Sequence, residues 1–159
     1  MKIKNLLPIA IILCLFSCNG KKRQEKNLST PYFVVLGVAQ DAGYPQIACK
    51  KECCLKTYAN PNLVKMVSSI GLVDPITNES WIFDATPDFT EQTKLLSKYT
   101  MNKEIPDGVF LTHGHIGHYT GLMFLGREAM SAVKMPVYVM PRMKTYLETN
   151  GTLEPVSNK

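Results

Sequence analysis

Apolar and polar positions divide this chain into an apolar leader, a polar spacer and a series of short apolar runs. Leu6 to Phe16 is an unbroken apolar run. Asn19 to Pro31 is polar, charged and without periodicity, so it is expected to be a flexible tether. Ordered structure is expected from Tyr32. The run Tyr32 to Val38 is apolar and rich in β-branched residues, which predicts a buried strand. Ser68 to Val73 and Trp81 to Phe83 predict two more strands, and the turn residues from Pro75 to Ser80 join them as a hairpin. Pro87 opens a helix with Asp88 and Glu91 near its positive end, and Phe89, Leu95, Leu96 and Tyr99 give it an apolar face. Gly108 to Thr112 is a further buried strand. A helix is expected from about Thr120 to Ala132, a strand from Pro136 to Met140 and a short helix from Pro141 to Thr149. Strands followed by helices in succession predict an α/β layered fold.

The leader changes how the rest is read. It spans about a dozen residues behind Lys2 and Lys4, whereas a membrane-crossing helix needs roughly 20. A run of that kind reads as a signal peptide. It ends in Leu15-Phe16-Ser17-Cys18, which resembles the bacterial lipobox, although Phe16 is bulky for its place. The expected organisation is therefore a lipoprotein signal peptide over 1–17, a tether over 18–31 with Cys18 lipidated, and a folded domain over 32–159. A plain signal peptide and an uncleaved anchor are the alternatives. The expected location is the bacterial cell envelope, with the membrane as partner through the lipid on Cys18. Without Lys2 and Lys4 the chain has 16 basic and 13 acidic residues, and Lys21, Lys22, Arg23 and Lys26 lie in the tether. The domain is close to neutral, its bases are scattered, and no basic stripe interleaves with aromatics. That excludes a nucleic-acid-binding surface.

Chemistry concentrates in two places. The chain has three histidines, and all fall in Thr112-His113-Gly114-His115-Ile116-Gly117-His118, directly after the strand Gly108 to Leu111. Imidazole is a common neutral metal ligand, and strand ends are where α/β folds place their sites. His113, His115 and His118 are therefore the candidate metal ligands, and Gly114, Gly117 and Gly121 are expected to give the loop positive-φ freedom. The second place is Cys49, Cys53 and Cys54. Three thiols at this spacing suit a structural metal or a disulfide equally well, with one thiol left over in the second case. Cys14 lies in the leader as apolar filler. Met123, Met130, Met140 and Met143 are expected as core filler.

The histidine segment resembles the metallo-β-lactamase superfamily signature His-x-His-x-Asp-His, with Gly117 where the family has its aspartate. Val35 to Gln46 and Trp81 to Phe89 resemble the opening strand-loop and a strand-to-helix segment of the pyrroloquinoline quinone biosynthesis protein B group. The resemblance runs from about Tyr32 to Thr149. It implies an αββα sandwich of which this chain carries the first half only, a mixed sheet plus helices. It also implies zinc as cofactor, one or two ions, with iron or manganese as alternatives. Later family ligands are absent after His118. In a full-length version with those downstream ligands present, one ion is expected to bind tightly and a second weakly for want of a carboxylate at Gly117, and Gly117→Asp to raise occupancy of the second site.

The resulting expectation is a metal-dependent hydrolase of a small-molecule substrate, acting through a metal-activated water. Asp84 is expected behind the ligands, accepting a hydrogen bond from one imidazole; a helix-initiating carboxylate is the other reading of that residue. An oxidative role like that of the quinone biosynthesis group, and an inactive truncated metal-binding lipoprotein, are the alternatives.

Overall fold

The structure is a computed structural model that describes residues 29–101 and 103–149. Cys14, Cys18, the leader and most of the tether lie outside the described residues.

Five strands form one sheet in the order β1-β2-β3-β4-β5: Tyr32–Gly37, Ser69–Asp74, Glu79–Phe83, Gly108–Phe110 and Val137–Tyr138. The hairpin β2–β3 is antiparallel and turns through residues 75–78, where Asn78 takes a positive φ. β1 pairs antiparallel with β2, whereas β3–β4 and β4–β5 are parallel. Parallel neighbours need crossovers. The first is α2 (Phe89–Leu96), whose Glu91 and Lys94 suit the two ends of the helix dipole. The second contains α3 (Ile116–Tyr119) and a 3-10 segment, Thr120–Leu125. Helices α1 (Glu52–Ala59) and α4 (Pro141–Thr149) complete the fold. No helix among the described residues is long and apolar enough to cross a membrane.

The core lies on one face of this sheet. Val34, Leu36, Val73, Ile82, Val109 and Leu111 point into it and meet Phe89, Leu96, Leu122, Leu125 and Leu147. Gly71 leaves room for Leu96: a Cβ there would stand 2.5 Å from Leu96 Cδ1. Beneath α2 a buried polar chain is fully satisfied. The Thr86 hydroxyl donates to Gln92 Oε1 at 2.7 Å, and Gln92 Nε2 donates to the Val67 carbonyl at 2.7 Å. The opposite face carries a row of aromatics, Phe33, Phe83, Phe110 and Tyr138, with successive ring centroids 6.3, 5.0 and 4.4 Å apart.

Three expectations need correction. β1 is not buried on both faces: Phe33 is 64 % and Val35 63 % exposed, because β1 is an edge strand and, among the described residues, no helix covers its second face. No α-helix runs from Thr120 to Ala132. The chain continues from α3 as a 3-10 turn and stops at Gly126, between two glycines that weaken a helix. Met123, Met130 and Met140 are exposed rather than core filler. The stretch holding Cys53 and Cys54, where the apolar pattern marks no element, forms α1.

Candidate metal centre

The parallel strands β3 and β4 end side by side, so the residues that follow them share one rim of the sheet. Asp84 follows β3 with φ of 69°, a left-handed conformation that aspartate tolerates better than most residues. Its N–H donates to the Phe110 carbonyl at 2.7 Å. The Ala85 N–H donates to the His118 carbonyl, and the Gly121 N–H to the Ala85 carbonyl, both at 2.9 Å. The β3 exit is thus stitched to the end of β4 and to the C-terminal end of α3, on either side of the histidine loop. Gly121 permits this closeness, since a Cβ there would lie 2.2 Å from the Thr86 carbonyl oxygen.

Asp84 organises the imidazoles from behind. It is 6 % exposed and His118 8 % exposed. The Thr112 N–H donates to Asp84 Oδ1 at 2.8 Å, and the Thr112 hydroxyl donates to the same carboxylate at 2.9 Å. His118 Nδ1 lies 2.8 Å from Asp84 Oδ2. A carboxylate only accepts, so His118 carries a proton on Nδ1. With its own proton given to Asp84, the Thr112 oxygen accepts from His113 Nδ1, 2.9 Å away. Both imidazoles are thereby set in the tautomer whose Nε2 lone pair is free for a cation.

Asp41, in the turn after β1, faces those lone pairs. Its Oδ1 lies 3.0 Å from His118 Nε2 and its Oδ2 3.2 Å from His115 Nδ1. That His115 nitrogen is also 3.0 Å from His113 Nε2. Among the described residues, Asp41, His113 and His118 form the one group of three potential ligands whose donor atoms all lie within 4.8 Å of one another. His115 reaches its edge and is largely exposed. Burial pushes the His118 imidazole toward the neutral form. The hydrogen bonds to Asp84 and Asp41 outweigh it, so His118 holds its proton above the ordinary imidazole range. The hydrogen bond from His118 in turn keeps the Asp41 carboxyl below its usual range. Imidazole nitrogens and a carboxylate gathered at this spacing are a donor set that fits a divalent cation.

The loop glycines act through space rather than through φ. Gly43 is the positive-φ glycine among the described residues. A Cβ on Gly117 would meet the Asp41 carbonyl oxygen at 2.5 Å and Asp41 Cα at 2.6 Å. The expectation that Gly117→Asp would raise occupancy of a second ion requires a loop that tolerates the side chain, and here Asp41 backbone occupies the room it needs. Asp41 itself carries no motif signal, being a single acid in a loop 77 residues from its histidine partner.

Beside His113 opens a cavity of about 320 Å³, lined by Thr112, His113, Met140, Arg142, Met143 and Tyr146 among others. The cysteines stand elsewhere. Cys49 is half-buried, Cys53 exposed and Cys54 buried, and all three are unpaired thiols. A hydrogen bond between Cys49 and Cys54 lowers the first thiol's pKa and raises the second's.

The strand-end position and the histidine–carboxylate cluster make a candidate metal site on an α/β fold. The family model described as the Beta-lactamase superfamily domain matches residues 80–159, half of the chain, and the chain belongs to this superfamily. Its fold is similar to that of zinc-bound PqqB from Methylobacterium extorquens, with 23 % identity and a TM-score of 0.65 over 79 % of this chain and 42 % of that one. It is also similar to a diphosphatase from the PhnP family, with 24 % identity and a TM-score of 0.55 over 74 % of this chain and 44 % of that one. The chain thus spans less than half the length of the solved structures it matches. No curated protein matches it.

Proposed function

We propose that the protein is a metal-dependent hydrolase of small molecules whose ion, zinc before iron or manganese, is held by the histidine loop. The observation that carries this reading is the pair of imidazoles at the end of β4 whose Nδ1 protons are both accounted for through Asp84 and Thr112. An ion bound there would lower the pKa of a water molecule and polarise a substrate oxygen. The protein's own residues do the rest. Asp84 fixes the tautomer and aim of His118 directly, and of His113 through Thr112. Met140 and Met143 offer an apolar wall to substrate beside His113, and Arg142 places a fixed positive charge at the same cavity, which favours a substrate carrying an anionic group. The superfamily membership supports metal chemistry, while the two structural neighbours support the fold alone.

The test is turnover of a panel of chromogenic phosphodiesters, lactams and thioesters by the zinc-loaded protein. Hydrolysis that is lost with a chelator and in His113→Ala is the expected result. Hydrolysis that survives both, or none on any member of the panel, overturns the reading. We further propose that the protein is anchored in the bacterial envelope by a lipid on Cys18. Fatty-acid labelling should then disappear in Cys18→Ala, and labelling that persists contradicts the anchor.

A further inference from the structure

We propose that Asp41 is the anionic metal ligand of this centre, supplied from the turn after β1 in place of the carboxylate that the His-Ile-Gly-His sequence lacks at Gly117. The inference rests on the histidine loop being the metal site, and it assigns a ligand from a different segment of the chain.

Four observations converge. The first is the chemistry of His118. Its Nδ1 proton is committed to Asp84, so a neutral His118 presents a bare lone pair at Nε2, and the atom it faces is a carboxylate oxygen 3.0 Å away. Two acceptors at that separation repel unless something positive lies between them: without metal a proton on Nε2 takes that place, and a divalent cation that displaces it would be shared by the same two atoms. The second is spacing. Zinc binds imidazole nitrogen and carboxylate oxygen at about 2.0–2.2 Å, so two ligands of one tetrahedral ion lie roughly 3.3 Å apart. The contacts of Asp41 with His118 and His115, at 3.0 and 3.2 Å, match it.

The third is mutual exclusion. The Asp41 backbone stands 2.5–2.6 Å from where a Gly117 Cβ would be, so a side chain at 117 and the turn carrying Asp41 cannot occupy this space together. Glycine at 117 is what admits the turn. The fourth is that the turn is built to hold its place. The Gly43 N–H donates to the Gln40 carbonyl at 2.9 Å, and Gln40 Nε2 donates back to the Gly43 carbonyl at 2.9 Å. Just before it, Ala39 is fixed by backbone bonds to Met66 and Ser68, at 2.9 and 2.8 Å.

The experiment is zinc titration of the 159-residue protein against a competing chelator, with the visible spectrum of the Co²⁺ form as a second readout. Asp41→Asn and Asp41→Ala should each weaken zinc binding at least tenfold with circular dichroism unchanged. They should also shift the Co²⁺ bands, and Asp41→Glu should recover part of both. Asp41 is partly exposed in a surface turn, so these variants should fold. Affinity and Co²⁺ spectrum unchanged in Asp41→Asn, with binding lost in His113→Ala, would overturn Asp41 as ligand and leave the histidine site standing. Binding that is indifferent to His113→Ala, or absent in the wild type, would overturn the histidine site and Asp41 with it.

Discussion

As strings of letters, Cys49-Cys53-Cys54 and His113-His115-His118 make comparable offers: three metal-seeking side chains within six residues. In the fold they differ in what stands around them. The histidines leave a parallel strand at the sheet rim, and two carboxylates from other segments bracket His118, at 2.8 Å on one nitrogen and 3.0 Å on the other. The cysteines sit on a loop and a short helix, hydrogen-bond mainly to one another, and have no carboxylate or imidazole in a ligand group with them among the described residues. Ligand-type residues become a site when other segments fix their tautomers and supply opposite charge, and only the histidine loop has that support.

The difference can be broken or sharpened by mutation. Among changes that leave the ligands in place, the largest effect should come from removing the support behind them. Asp84→Asn keeps the shape but not the charge, and it should weaken zinc binding by about 10–100-fold, measured by chelator competition. An unchanged affinity would mean that Asp84 serves only to shape the turn after β3. A smaller, graded effect should follow pH. Metal must displace the proton that Asp84 and Asp41 hold on His118 above the ordinary imidazole value of about 6.5. Affinity should therefore be full well above that range and should fall as pH drops through it, by about tenfold per unit for one displaced proton. A flat profile from neutral pH down to the carboxylate range would contradict His118 as a ligand. The smallest effect should come from the cysteines. Replacing Cys49, Cys53 and Cys54 with serine should change zinc affinity at the histidine loop by less than about twofold, since nothing links the two clusters. A loss comparable to that in His113→Ala would make the thiols the true site.

How far the sequence reaches follows from which interactions are local. The β2–β3 hairpin and α4 are plain from apolar runs bounded by Asp74-Pro75 and Pro141, because turn residues and proline act on their own backbone. The edge position of β1 and the 3-10 ending of α3 are not, because each depends on what packs, or does not pack, across the sheet. The histidine loop and Asp84 stand out as a motif and as a carboxylate at a strand end. Asp41 does not, since its role depends on a turn brought in from another part of the chain. The one hint was negative: a glycine at 117 where a carboxylate was expected. What the spacing could not say is that glycine there makes room for another segment.

The central claim is that this protein's metal sits on imidazole and carboxylate rather than on thiolate. X-ray absorption at the zinc edge, on the 159-residue protein loaded with one equivalent of zinc, tests it most directly. The account predicts a shell of nitrogen and oxygen scatterers alone at about 2.0–2.2 Å, and a sulfur shell at about 2.3 Å would contradict it.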